Sequence, residues 1–373
     1  MQAVADRLRS YADAVTALHF RGTVLPDEVS RDIYVVDGRV TLEPVSGADL
    51  VASDVWLVPG LVDAHCHVGL TINGAASTDE QVQQATADRD AGVLTIRDCG
   101  VPADTRWIDE RTDLPQIIRA GRHIARPKRH TRDIGLEVEP HELVATVQAE
   151  VPRGDGWIKL VGDWIDRDRG DLSPLWPRDA LEAAIAAAHE LGARVTAHTF
   201  SEEALPDLIG AGIDCIEHGT GLLPDRIDDM ARRQTALVPT LINIARFPEI
   251  AERGSKYPAY AAHMLALHET VSERVRNAFD AGVPIYAGTD AGSELAHGCI
   301  ADEVIALHAA GLKPADALGA ASWKARAWLG VGSGLAEGES ADFIAYDANP
   351  LDDLTQLKQP WAVVLRGQLF GRA

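Results

Sequence analysis

Eight short apolar runs, separated by stretches of helical periodicity, constrain this chain more than any other feature of its sequence. The runs are Leu57–His67, Val93–Asp98, Gln116–Ala120, Trp157–Val161, Arg194–His198, Cys215–His218, Ala236–Thr240 and Val283–Gly288. Helical patterns lie between or after them, as at Pro177–Leu191, Ser201–Ala211, Ala259–Ala281 and Ile300–Ala310. Strand–helix alternation repeated eight times specifies parallel strands covered by helices, and its closed form is a (β/α)8 TIM barrel of roughly 250 residues. The 373 residues leave room for a second, smaller unit.

That unit is expected from the two ends of the chain. Val15–Phe20 and Ile33–Val36 are strand-like, and Asp37-Gly38 before Arg39-Val40-Thr41 is a hairpin signal. Near the C-terminus, Phe343–Tyr346 and Val363–Leu365 are strand-like, and Arg366-Gly367-Gln368 has turn composition. Each end is too small to fold alone. The expected division is residues 1–58 and 330–373 as one composite, β-sandwich-like domain, with the barrel at 59–329 between them.

The formal charge of −21 repels polyanions, so neither nucleic acid nor an anionic membrane is an expected partner. No apolar run approaches membrane-spanning length. The first fifteen residues are broken by Asp6, Arg7, Arg9 and Asp13, unlike a secretory signal. The four cysteines lack C-x-x-C spacing and suit a reducing, cytoplasmic setting. These features leave a small-molecule substrate as the expected partner. They leave homo-oligomerisation open.

The ends of the runs carry the chemistry. In Asp63-Ala64-His65-Cys66-His67, residues two apart share a strand face, so His65 and His67 point together and Cys66 points away. An isolated H-x-H is more often a pair of satisfied histidines. Here, however, Lys159, His198 and His218 fall at or near the ends of three further runs, and Asp290 follows the last. In a (β/α)8 barrel, those ends form the active-site face.

The segments Pro59-Gly60-Leu61-Val62-Asp63-Ala64-His65-Cys66-His67, Ile158-Lys159-Leu160-Val161-Gly162, Thr196-Ala197-His198, Glu217-His218-Gly219 and Ala287-Gly288-Thr289-Asp290-Ala291-Gly292 together resemble the amidohydrolase superfamily. The resemblance is to its prolidase-like and imidazolonepropionase-related metal-dependent hydrolases. It extends to Gly338–Phe343, where such chains return to their β-domain. It implies two divalent metal ions, zinc by ligand type, with His65 and His67 on the more buried ion and His198 and His218 on the more exposed one. Lys159 is implied to bridge both as a CO2-derived carbamate, which offers two oxygens where an ammonium offers none. Asp290 is implied to bind the buried ion and to act as the catalytic proton shuttle. The implied reaction is hydrolysis of an amide-type C–N bond, as in an N-acyl amino acid or dipeptide.

Weaker signals remain. His130, after Lys128-Arg129, and His297, in Ala296-His297-Gly298, are candidate substrate-binding residues by the same resemblance. The basic loop Gly121–Arg132 could meet an anionic substrate or solvent, and Ile242–Pro258 could be a lid or a surface excursion. A mononuclear deaminase or a cyclic-amide hydrolase of the same superfamily is a competing expectation, as is a non-catalytic barrel scaffold. The deaminase expectation is opposed by Lys159 and by Ser201 standing three residues after His198, where a glutamate is usual.

Overall fold

The computed structural model describes residues 17–371. Val15 and Thr16, at the start of the first expected strand, lie outside the described residues, as do the charges at Asp6–Asp13.

Both ends of the chain meet in one seven-stranded sheet. From edge to edge its order is Gln368–Gly371, Ala362–Leu365, Phe343–Tyr346, Asp49–Pro59, Ala17–Val24, Val29–Val36 and Arg39–Thr41. The register explains its core. Phe20 is opposite Ile33 and Ala52, Leu57 is opposite Val24 and Ala345, and Phe343 is opposite Val364. These side chains share one face and one apolar cluster. The described strands therefore form a single sheet, where a sandwich of two layers was expected. Its edge strand closes onto the segment leading into Phe343: Val40 N donates to Glu339 O, and Gly338 N donates to Val40 O. The sheet rolls around its apolar face, which removes the need for a second layer. Its other face, with Val58, Ile344, Val363 and Leu365, joins the large cluster of the remaining fold.

Parallel strands form the rest of the framework. Leu61–Cys66, Val93–Asp98 and Gln116–Arg119 pair in order, and His123–Ala125, Trp157–Val161, Arg194–Thr199, Cys215–His218 and Ala236–Val238 pair in order. The segment after Val283 completes the ring. Leu237 N donates to Pro284 O, Tyr286 N donates to Leu237 O, and Ala64 N donates to Ala287 O. Pro284 has no N–H, so this segment makes a bridge at Ile285 instead of a regular strand.

Two other runs differ from their sequence boundaries. Leu57–His67 divides at Gly60, its first part ending the rolled sheet and its second entering the ring. Gln116–Ala120 stops at Arg119, and the chain resumes as His123–Ala125, which is the piece that pairs with the Lys159 strand. Helices cover the ring, among them Arg178–Glu190, Pro258–Asp280 and Ile300–Ala309. Helix Thr78–Asp90 was not anticipated, although Ser77 and Glu80 form a capping box at its start. The segment 242–258 contains helix Phe247–Arg253, anchored by Phe247, which is fully buried and packs edge-on against Phe200.

Candidate metal centre

Strand alternation delivers the candidate ligands to one place. Trp157, Lys159, Thr196 and His198 face the inside of the ring, while Ile158, Leu160 and Ala197 pack outward. His65, His67, Lys159, His198, His218 and Asp290 all line a single cavity of about 280 Å3. A cavity of about 290 Å3 elsewhere, lined by Asp98, Arg119, Arg122 and Glu150 among others, contains no histidine and shares no residue with it.

Three of the six atoms are already arranged as one coordination face. His65 Nε2 and His67 Nε2 are 3.3 Å apart, and Asp290 Oδ1 lies 3.2 Å and 2.9 Å from them. Ligands at about 2.0–2.1 Å from a tetrahedral ion are separated by roughly 3.3 Å, so this triangle fits a metal. Gly288 makes the approach possible, since a Cβ there would stand 2.6 Å from the His65 Cβ.

The other ring nitrogens are committed to the protein. His65 Nδ1 donates to Glu217 Oε2 at 2.7 Å, and His67 Nδ1 donates to the Gly100 carbonyl at 2.9 Å. His218 Nδ1 and Thr240 Oγ1 are 2.7 Å apart. Each bond fixes a ring and frees Nε2 for a cation. His198 is turned the other way: its Nε2 is buried without a partner, 3.8 Å from Asp163 Oδ1, leaving Nδ1 to the cavity. Lys159 is 1% exposed, and its ammonium has no hydrogen bond or ion pair among the described residues.

Three of the ten described non-glycine residues with positive φ stand here. His218, Thr240 and Asp290 end three consecutive segments in left-handed conformation, with φ of 66°, 48° and 60°. The turn at His218 lets both it and its neighbour Glu217 serve the centre. Glu217 is fully buried beneath His65, where it also accepts from Arg97 at 2.6 Å and from Thr196.

The electrostatics leave His67, His198, His218 and Asp290 in binding form, whereas His65, although burial lowers it, is held well above its ordinary value by Cys99, Glu217 and Asp290. Burial pushes the His218 imidazole down to about 3 and holds His198 well below its ordinary value, with His218 and Lys159 adding to the second effect. Burial also lowers His67. Burial would raise the Asp290 carboxyl, but the charge of His65 and hydrogen bonds from His65 and His67 hold it well below the usual range. Glu217 is likewise held low against its burial, by Arg97 first and then His65. Neutral imidazoles and an ionised carboxylate are the forms that ligate metal.

The secondary candidates divide. His130 lines the cavity between His123, on which it stacks, and Trp164, to which it is tilted, at 4.8 Å from each, and burial pushes it down to about 4. His297 is not among the lining residues; its Nδ1 is 2.7 Å from Asp88 of helix Thr78–Asp90, and that bond ties the loop after Asp290 to the helix. Two of the five cations of the basic loop are paired within the protein, Arg126 with Glu139 and Arg129 with Asp166 and Ser173. The cations at the cavity are instead Arg246 and Arg253, which share Glu294. Glu202 bonds His263 and is not among the lining residues. Glu217, Asn243 and His123 belong to the centre but were not among the candidate site residues, although Glu217 stands in a motif that carries the resemblance; Asn243 Nδ2 donates to Asp290 Oδ2 at 2.6 Å.

Comparison with known proteins agrees with this geometry. Residues 56–369 match the profile of the amidohydrolase family. The chain belongs to the amidohydrolase family. An uncharacterised protein of Mycobacterium tuberculosis is 55% identical to this amidohydrolase over 367 residues, 98% of this chain and 99% of its own. The imidazolonepropionase of Thermoplasma volcanium is 24% identical over 380 residues, 89% of this chain and 86% of its own. The crystal structure of a Xaa-Pro dipeptidase with methionine in its active site shares the fold, with a TM-score of 0.79 at 23% identity over 95% of this chain and all of the other. Among the described residues no helix is long and apolar enough to cross a membrane.

Proposed function

We propose that this amidohydrolase cleaves an amide-type C–N bond in a small substrate carrying a carboxylate, such as an N-acyl amino acid or dipeptide. The observation that carries the reading is the ligand triangle of His65, His67 and Asp290 beside a buried, unpartnered Lys159. The catalytic unit is taken as a (β/α)8 barrel at 59–329, with 1–58 and 330–373 forming the composite β-domain.

His65, His67 and Asp290 would hold one divalent ion, zinc by donor type, and His198 and His218 a second, with Lys159 as a carbamate between them. Such ions supply Lewis acidity toward a carbonyl oxygen and make a nearby water more acidic. The chain's own groups do the rest. The Asp290 carboxylate accepts a proton from the attacking water and returns it to the leaving nitrogen, while Asn243 Nδ2 holds Oδ2 in place. Trp164 and Phe200 form an apolar wall beside His198. Arg246 and Arg253 share Glu294, with Glu249 a longer second partner of Arg246 at 3.6 Å, and a substrate carboxylate can compete for these two guanidiniums. The family membership and the imidazolonepropionase relative support C–N chemistry.

The test is a hydrolysis screen of zinc-loaded protein against dipeptides, N-acyl amino acids, lactams, carbamates and esters. Preferred turnover of amides with a free carboxylate is expected. Turnover confined to esters, or undiminished after exhaustive chelation, would refute it.

A further inference from the structure

Six histidines line the cavity, two more than the ligand set uses. One of them, His123, lies on the short strand that pairs in register with Lys159. Its ring is 5.3 Å from that of His67 and 4.8 Å from that of His130, nearly parallel to the latter at 29°. It is only 5% exposed.

The two edges of this ring meet different surroundings. Nδ1 is buried and has no partner among the described residues. It packs on Gly100, where an added Cβ would stand 3.1 Å from it, and Gly100 itself sits at φ 106°. The Gly100 carbonyl fixes His67, so one glycine seats both rings. A buried nitrogen without a partner is tolerated better as a bare lone pair than as an orphaned N–H. The proton therefore belongs on Nε2, at the edge that meets the cavity. His130 repeats the pattern, with its own Nδ1 buried and unpartnered.

We propose that His123 is a catalytic residue that, beside His130, donates an Nε2–H hydrogen bond to the oxygen of the scissile carbonyl. As the water oxygen bonds to the carbonyl carbon, the π pair moves onto that oxygen, and His123 Nε2–H meets the developing charge. When the C–N bond breaks, the pair returns to re-form the carbonyl, and the nitrogen leaves with the proton carried by Asp290. A fixed donor aimed at a developing oxyanion acts mainly on the transition state. The inference rests on the amide-hydrolase reading for its substrate, but the donor itself is open to a separate test.

The experiment compares zinc-loaded wild type with His123→Ala and His123→Gln. Zinc content by elemental analysis, calorimetric binding of methylphosphonate and of acetate, and amide turnover are measured on each. Both variants are expected to keep the wild-type zinc content. His123→Ala is expected to weaken the tetrahedral phosphonate by about tenfold or more, to leave acetate within about twofold, and to lower kcat about 100-fold with little change in KM. His123→Gln, which retains an N–H donor, should recover part of the loss. Zinc loss in both variants would make His123 a ligand and overturn the proposal. Equal weakening of phosphonate and acetate, or phosphonate binding within twofold of wild type, would also overturn it. If the wild type hydrolyses no amide but the phosphonate contrast holds, the donor role stands and the substrate assignment falls. If the wild type hydrolyses amides and His123→Ala does so equally well, the donor role falls and the substrate assignment stands.

Discussion

Replacing Glu217 with Gln tests whether the buried layer beneath the metal centre is electrostatic or merely space-filling. Glu217 and Arg97 are both fully buried and are joined at 2.6 Å. The amide preserves shape but leaves the Arg97 guanidinium without its counter-charge. Removing one member of a buried ion pair costs about 3–5 kcal/mol. Arg97 keeps two compensations: a hydrogen bond to the Ala64 carbonyl at 2.8 Å and the faces of Trp157 and Trp328 at 4.6 Å and 5.0 Å. A desolvated cation–π contact is worth up to about 2 kcal/mol, which places the expected loss near 3 kcal/mol. The readout is the urea midpoint of chelator-stripped protein, with unchanged m establishing that stability and not compactness has moved. Because His65 loses its anchoring carboxylate, zinc affinity in competition with a chromophoric chelator should also fall by about 10–100-fold. The double variant Arg97→Met/Glu217→Gln should regain much of the stability but none of the zinc affinity. A Gln variant within about 1 kcal/mol of wild type and within threefold in zinc affinity would refute the reasoning.

Asp290→Asn should keep substrate affinity and much of its metal while losing most of kcat, because an amide can ligate weakly but cannot accept the proton; turnover within about threefold of wild type would remove Asp290 as the shuttle. Lys159→Ala should lose the second metal equivalent and activity, with partial rescue by a short carboxylic acid, and elemental analysis with acetate or propionate titration is the check. His263 lies 2.9 Å from Glu202 and 3.0 Å from Asp171, and these partners, Glu202 first, raise it to about 9. Its stabilisation is fully present below its unfolded value near 6.5 and is lost as pH rises through about 9. His263→Gln should therefore flatten the stability–pH curve across that window, and an unchanged curve would exclude the pair as its source.

The part of the site that could be read from the sequence follows strand periodicity. His65, Lys159 and His198 stand where a period of two, counted from a strand end, places an inward side chain, so their convergence was visible without coordinates. Glu217 was hidden for the same reason. In a regular strand it and His218 would face opposite ways, and only the left-handed turn at His218 brings both to the centre. His123 was missed because the apolar run ended at Ala120, and nothing local marks the resumption of pairing at residue 123. Asn243 sits in the short helix Leu241–Ile244, whose first two amides donate to the distant Glu303, so no local pattern marks its place. For His297 the resemblance of Ala296-His297-Gly298 to a family pair suggested the cavity, with a role at a helix as the alternative, and its bond to Asp88 places it beside a helix.

The rolled sheet has a consequence for how the molecule comes into being. Phe343–Tyr346 lies directly against Asp49–Pro59, with Ile344 opposite Val58, although those two residues are 286 positions apart in sequence. A ribosome must therefore release the chain through Tyr346 before that pairing can form, and until then the Asp49–Pro59 strand has an open edge. The same strand runs through Gly60 into the segment bearing His65 and His67. The ligands made first are thus secured last, and a nascent chain truncated before Phe343 should be unable to hold their strand in place, however complete its helices.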